Sequence, residues 1–293
     1  MIGRVLKKHG GFYLVSVDEK LIECKLSGKQ KHHQRDHIVA GDRVEFYLEE
    51  PKDLKRGYIT AVKKRDNYLP RPGIANIDQI LIVTAIKEPS YDFLMLDKLI
   101  VIALYYGIKP ILCFSKMDLA EQGDEECVTE YYNNSRIDCL YVCREGSLNE
   151  ISDLCKGKTT VLTGNSGVGK SSLINRLLGK EVQSVQNISL KLNRGKNTTR
   201  TAEFFEFEQG FIVDTPGFSA LDLPLSLKKT DLKACYQEYL ACASGCRFNN
   251  CVHINEPDCV VKEFVEDGLF SRERYENYRK LFFELEERER MRR

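Results

Sequence analysis

A chain of 293 residues with a formal net charge of +1, 42% hydrophobic and 30% charged, has room for two or three domains and enough apolar residues to bury real cores. That balance excludes global disorder. The longest apolar run, Phe93 to Gly107, is interrupted by Asp97 and Lys98 and so excludes a membrane helix there. The opening "MIGRVLKKHGG" has no apolar segment of the signal-peptide kind, so a cytoplasmic protein is expected.

Charge is unevenly spread. Residues 1–65 hold 15 Lys/Arg against 9 Asp/Glu, residues 66–222 hold 16 against 21, and residues 223–293 hold 13 of each. A basic first segment ahead of an acidic one points to a polyanionic partner for the first. Of eleven cysteines, five crowd between Cys235 and Cys259. In a reducing compartment such crowding points to metal rather than disulfides.

Residues 1–65 read as five short strands, "GRVLKK", "GFYLVSV", "LIECKL", "DRVEFYL" and "GYITAVKK", separated by turn residues. Five strands in so short a span predict a small barrel of the OB type. Between the third and fourth strands the basic stretch "KLSGKQKHHQRDH" is placed to meet nucleic-acid phosphates. From Ile77 the pattern changes to apolar strands at 79–85, 109–114, 138–143, 158–163, 203–208 and 210–214. Helices are expected at 92–106, 124–134, 147–155 and 170–179. This alternation predicts a mostly parallel sheet with crossover helices. After Leu223 the chain turns helical and Cys-rich. The expected domains are 1–65, a barrel; 66–222, an α/β domain; and 223–293, a helical metal-binding domain.

"TGNSGVGKSS" carries Gly164-x4-Gly169-Lys170-Ser171 between an apolar strand and an apolar helix, the context a phosphate loop requires. Backbone N–H groups from Gly164, Asn165, Ser166, Gly167, Val168 and Gly169 would wrap the phosphates at the helix N-terminus, continuing into Ser172. Lys170 would reach the β- and γ-phosphates and Ser171 would ligate Mg²⁺. Downstream, "VDTPGF" places Asp214 at a strand end to hold Mg²⁺ through water, with the Gly217 N–H toward the γ-phosphate. Thr198 and Thr199, in the polar stretch between, are the expected switch residues. Upstream, Ser115-Lys116-Met117-Asp118 looks like the guanine-reading N-K-x-D element with its first letter changed. The Asp118 carboxylate accepts from guanine N1–H and N2–H₂ and repels adenine N1, while the Lys116 stem packs along the base. In ordinary GTPases this element follows the phosphate loop, and here it comes first. Loops at the C-terminal ends of neighbouring strands can occur in either chain order, so the segment order predicts a circularly permuted GTPase domain.

The sequence resembles the RsgA (YjeQ/YloQ) family of small ribosomal subunit biogenesis GTPases, on "GGFYLV", "VAGDRVEF", "RPGIANIDQILIV", "SKMDL", "TGNSGVGKSSLIN", "DTPGF" and "CRFNNCVHINEPDC". The resemblance covers nearly the whole chain. It implies an OB barrel, a permuted GTPase domain and a zinc domain. It also implies slow GTP hydrolysis stimulated by the small (30S) subunit during its late maturation, with the rRNA of that subunit as partner. A monomer without membrane association is expected. Three departures stand out. Ser115 replaces the usual Asn, which bonds guanine N7 and ties its loop to the phosphate loop. Cys143-Arg144 replaces Ser-Ala, leaving only backbone to meet the base. Asn197 replaces His. Phe218, where other GTPases keep a water-orienting Gln, predicts a low intrinsic rate. A second reading makes the chain an RNA-binding chaperone for which guanine nucleotide is mainly a structural ligand.

Cys246-x4-Cys251-x-His253-x5-Cys259 offers three thiolates and an imidazole, a closed tetrahedral zinc set. Cys242 competes as a ligand, and the family pattern beginning at Cys-Arg-Phe favours Cys246. One structural zinc per chain is expected.

Overall fold

The computed structural model describes residues 1–18, 20–27, 38–50, 53–179, 202–215 and 222–292. Strands β1 (Ile2–His9), β2 (Phe12–Val17), β3 (Lys20–Leu26), β4 (Arg43–Glu50) and β5 (Asp53–Val62) close into a barrel in the order β1-β2-β3-β5-β4. β3 and β5 run parallel, and the pairs β1–β2, β1–β4, β2–β3 and β4–β5 run antiparallel. Alternation drives the closure. Tyr13, Val15, Ile22, Cys24, Phe46 and Ile59 point inward and form the barrel core, and their neighbours in sequence face out. The expected OB-type barrel is present.

A hairpin of β6 (Tyr68–Leu69) and β7 (Ile74–Ala75), too short to leave a periodic signal, precedes a six-stranded sheet. Its strands are β8 (Gln79–Ala85), β9 (Lys109–Ser115), β10 (Asp138–Val142), β11 (Thr159–Thr163), β12 (Glu203–Phe207) and β13 (Gly210–Asp214). The sheet order is β10-β9-β8-β11-β13-β12. β10–β9 and β11–β13 are parallel, whereas β12 pairs antiparallel with β13 through a tight turn. β8 is buried along its whole length, as a strand covered on both faces must be. The helices are α1 (Phe93–Tyr105), α2 (Asp124–Tyr131), α3 (Asn149–Cys155) and α4 (170–179). In the C-terminal part they are α5 (Gln237–Cys242), α6 (Val260–Glu266) and α7 (Arg272–Arg290). Asp92 caps α1, accepting from the Leu94 N–H at 2.9 Å.

One sequence expectation is corrected. The strand ending in the guanine-reading motif, β9, does not neighbour the phosphate-loop strand β11, because β8 lies between them. Apolar runs alone do not reveal which strand inserts between which. The expected alternation of strands and helices is otherwise present.

The chain forms two compact units. Met1–Leu81, Ser147–Thr163 and Lys170–Phe218 make one, and Ile82–Gly146, Gly164–Gly169 and Ser219–Arg293 make the other. Within the first, the barrel is fastened to sheet strands. Ser16 Oγ donates to Glu206 at 2.5 Å, and Arg4 bonds Thr159 Oγ1 while its guanidinium lies 5.2 Å over the Phe211 ring. Within the second, α7 packs on α1 through a buried guanidinium. Arg274 pairs with Asp97 of α1 and, at 2.7 Å, with Glu238 of α5.

Candidate active site and metal centre

β9 delivers Ser115 to the strand end, and Lys116 follows in a left-handed conformation with φ of 58°. This turn starts a short 3₁₀ segment, Met117–Leu119, that presents an exposed Asp118. The Lys116 ammonium bonds the Glu88 carbonyl. The Asp118 carboxylate accepts the backbone N–H of Arg144, from the loop after β10, at 2.8 Å. The Cys143-Arg144 loop thus reaches the Asp118 carboxylate through its backbone. An acceptor pair fixed by a peptide N–H is suited to meet the two donors on the guanine edge.

Ser115 is buried, and its hydroxyl lies 2.6 Å from the Val168 carbonyl and 3.1 Å from the Thr84 carbonyl. Its one proton serves one carbonyl at a time. The Ser115 hydroxyl thus ties this loop to the phosphate loop. The loop itself rests on glycine. Gly164 has φ of +142°, and a Cβ there would meet the Val83 carbonyl oxygen at 1.9 Å. Any other residue would push the loop off β8. Val168 is buried, while Ser166, Gly167, Ser171 and Ser172 are exposed around the turn into α4, as a cradle for an anion requires.

Lys170 opens α4. Burial lowers its pKa, and the nearby charge of Asp214 opposes that. Burial raises the pKa of Asp214, against the pull of Lys170 and the Thr215 N–H. Thr215 itself is anchored, its hydroxyl donating to the Leu162 carbonyl at 2.8 Å. A half-buried ammonium and carboxylate, each short of solvation, form a site that phosphate oxygens and a divalent cation would complete. Asn165 and Gly169 complete the described loop. Asn165 Nδ2 donates to the Met95 sulfur at 3.6 Å, and Gly169 has φ of +96°. Thr198, Thr199, Gly217 and Phe218, with Asn197, lie outside the described residues.

In the C-terminal part, Cys246, Cys251, His253 and Cys259 are all buried, and their ligand atoms lie within 4.8 Å of one another. His253 Nδ1 is 3.4 Å from Cys251 Sγ, 3.4 Å from Cys259 Sγ and 3.7 Å from Cys246 Sγ. The sulfurs of Cys251 and Cys259 are 3.7 Å apart, and those of Cys246 and Cys259 4.0 Å. A tetrahedron with Zn–S of about 2.3 Å and Zn–N of about 2.0–2.1 Å has edges of roughly 3.5–3.8 Å. The five distances lie close to those edges, so the donor set is compatible with zinc. Burial pushes the Cys251 thiol up to about 12 and the His253 imidazole down to about 4. The imidazole is thus held neutral, as a ligand must be, and the Cys251 thiol needs a cation before it ionises. Cys242 is not part of the set, because its sulfur faces the helix carbonyls of Glu238 and Tyr239 at 3.6 and 3.4 Å.

Sequence spacing did not reveal what holds this loop. Glu256 accepts the N–H groups of Val252, Ile254 and Asn255 at 2.7, 3.0 and 3.1 Å. Tyr275 and Tyr278 of α7 donate to the carbonyls of His253 and Val252, both at 2.7 Å. An acid inside a Cys-rich turn, with two Tyr three apart on a later helix, is the signal that was available.

Comparison with known proteins agrees with this geometry. The RsgA N-terminal domain model matches residues 2–59 and the RsgA GTPase model matches residues 62–224. A small ribosomal subunit biogenesis GTPase RsgA from Clostridium botulinum (strain Eklund 17B / Type B) is 40% identical over 291 residues, covering 99% of both chains. Among solved structures, the circularly permuted GTPase YloQ superposes with a TM-score of 0.82 at 32% identity, covering 98% of this chain and 95% of its own. YjeQ from Thermotoga maritima gives 0.78 at 33% identity, covering 97% of this chain and 98% of its own. With the guanine-reading motif ahead of the phosphate loop and clasped to it, and with matches along its whole length, the chain belongs to the RsgA family of circularly permuted GTPases.

Proposed function

We propose that this GTPase binds the small (30S) ribosomal subunit through its rRNA and assists late maturation of that subunit in the cytoplasm, acting as a monomer and coupling its residence there to GTP hydrolysis. The observation that carries the reading is the 2.6 Å hydrogen bond from Ser115 to Val168, 53 residues later in the chain. It unites base recognition and phosphate binding in the permuted order that defines the family. The names of the relatives supply the ribosomal partner.

In this reading Asp118 selects guanine, with Lys116 and Met117 flanking the base and Ser115 bracing the loop. Gly164 to Gly169, with Ser172 beyond, present backbone donors to the phosphates. Lys170 contributes the charge that meets the β- and γ-phosphate oxygens, and its partial burial makes that charge more effective. Ser171, and Asp214 through water, would hold a magnesium ion brought with GTP or GDP, which would supply charge to neutralise the phosphates there. Thr198, Thr199 and Gly217 close on the γ-phosphate, and Phe218 leaves the attacking water poorly oriented, so unaided turnover is slow. Cys246, Cys251, His253 and Cys259 hold one structural zinc. The functional division is 1–65 for RNA, 66–222 for GTP and 223–293 for the zinc-bearing helices.

The test is GTP turnover by the full chain with and without purified small subunits. Stimulation is expected, an effect that for other GTPase partners reaches about 10³–10⁵. Lys170→Ala should abolish turnover in both conditions. Asp118→Asn should move preference from guanine to xanthine nucleotides, because the acceptor pair gains a donor. Tight RNA binding with no stimulation at any salt concentration would favour the RNA-chaperone reading.

A further inference from the structure

The outer face of the barrel carries a row of side chains that neither the core nor the GTPase site uses. Inward-facing Tyr13, Cys24, Phe46 and Ile59 force Phe12, Lys25, Tyr47 and Tyr58 outward by strand alternation. The ladders then align them. Lys25 on β3 is opposite Tyr58 on β5, and Tyr58 is opposite Tyr47 on β4. The Lys25 ammonium lies 4.7 Å from the centroid of the Phe12 ring on β2. Tyr47 and Tyr58 are stacked with centroids 5.5 Å apart and planes 27° apart, and Tyr47 is 51% exposed. Four adjacent strands thus present ring, cation, ring, ring in one line, spanning roughly 14 Å at ordinary strand spacing.

The row is built rather than accidental. The Tyr58 hydroxyl donates to Glu49 at 3.0 Å, which fixes the ring orientation, and Gly57 beside it leaves no room for a side chain, since a Cβ would meet the Tyr47 carbonyl at 2.8 Å. Of the anions nearby, Glu45 is paired with Lys63, Glu23 stands opposite Arg56 in the β3–β5 register, and Glu49 accepts from Tyr58 itself. The segment as a whole has a cationic excess, with 15 Lys/Arg against 9 Asp/Glu in residues 1–65.

We infer that Phe12, Lys25, Tyr58 and Tyr47 form a stacking platform for unpaired RNA bases, Lys25 meeting the backbone phosphate between stacked bases. Flat rings alternating with a cation suit base faces and phosphates together, and they accept any base because every base has a π-face. The cationic excess of the segment favours a polyanion as the occupant. The inference rests on the proposed RNA partner, and it specifies single-stranded RNA and the face that takes it.

The test is binding of the full chain to a short oligouridylate and to an RNA duplex, with GTP turnover recorded in parallel. The double change Tyr47→Ala and Tyr58→Ala should weaken oligouridylate binding about tenfold or more. Duplex binding, basal turnover and the salt slope should stay unchanged, and Tyr47→Phe with Tyr58→Phe should restore affinity. Lys25→Ala should reduce the salt slope by about one unit. Independently of any variant's folding, 4-thiouridine RNA should photocrosslink to the wild-type peptides bearing Tyr47 and Tyr58. Unchanged oligouridylate affinity in the Ala variant, or crosslinks confined to other segments, would overturn the platform. Loss of small-subunit association with unchanged oligouridylate affinity would also overturn it, by assigning the face to a protein. Subunit-stimulated turnover in the wild type would leave the proposed function standing in each of those cases.

Discussion

Around Cys246 the buried polar atoms are three thiols and an imidazole; around Arg274 they are one guanidinium and two carboxylates. Both clusters lie in the same compact unit, and both tie α7 to other chain segments. The first has no internal charge partner, and burial holds its Cys251 thiol protonated until a cation arrives. The second is internally paired. Arg274 is 4% exposed at its side chain and bridges Asp97 and Glu238, which are 0% and 2% exposed. Its guanidinium also lies 5.1 Å over the Tyr132 ring and 4.8 Å over that of Tyr236. One region therefore contains a polar centre whose donors suit an added ion beside one that neutralises itself, and the two should fail differently.

The largest expected effect is on the metal centre. Structural zinc contributes about 10–16 kcal/mol of apparent binding free energy in zinc-finger peptides. Chelation, or Cys246→Ser, should therefore cost the C-terminal part its protease resistance while GTP binding persists. About one zinc per chain is expected by elemental analysis, and Cys242→Ser should keep it. If Cys242→Ser lost zinc and Cys246→Ser kept it, the assigned ligand set would be wrong.

The ionic cluster should show the second-largest effect. Arg274→Ala leaves two buried carboxylates unpaired, and breaking a buried pair by removing one partner costs about 3–5 kcal/mol. Thermal melting of the zinc-loaded chain should fall sharply with zinc content unchanged. Retention of zinc with loss of stability is the outcome that separates the two centres. Loss of both together would show that the ionic cluster is needed to build the metal site.

The two centres were not equally legible. Ligand types and spacing, Cys-x4-Cys-x-His-x5-Cys, state the metal site locally, because one short turn supplies every donor. The family pattern already favoured Cys246 over Cys242, and the structure groups Cys246 with the other three donors. The Arg274 cluster joins residues 177 and 36 positions apart. In the sequence, Asp97 is merely a charge interrupting an apolar helix. That interruption was itself the clue, since a carboxylate on the buried face of a helix requires a partner. Barrel and sheet follow the same rule. Strand alternation in β1 to β5 is a local signal and was readable, as was the permuted order of motifs. The position of β8 between β9 and β11 depends on long-range pairing, which no local pattern carries. The clasp from Ser115 to Val168 was partly legible: the substitution was visible, but the reach of its hydroxyl to the loop depends on tertiary geometry.

The smallest expected effect, in pH dependence, separates the two centres by sign. Burial raises the Asp97 carboxyl from 3.8 to about 6, with Arg274 and its hydrogen bond from Tyr131 pulling the other way and Glu238 adding to the rise. Tyr132 and Tyr236 complete the facing groups, and burial keeps both phenols protonated well beyond neutral pH. The folded state thus holds the Asp97 proton more tightly than the unfolded chain does. That contribution is fully present below about pH 4 and is lost as pH rises through about 6, a change of about 3 kcal/mol. The metal centre responds in the opposite direction, because acid protonates the thiolates and releases zinc. Wild-type stability below pH 6 should reflect both, with the loss of metal partly offset by Asp97. Asp97→Asn keeps the shape and an acceptor but removes the titration. Metal loss is common to wild type and variant, so the difference in their melting temperatures should shift in favour of the wild type as pH falls from 6 to 4, and level off on either side of that window. A difference that stayed flat across the window would mean that Asp97 is ionised throughout, with Arg274 fully offsetting the cost of its burial.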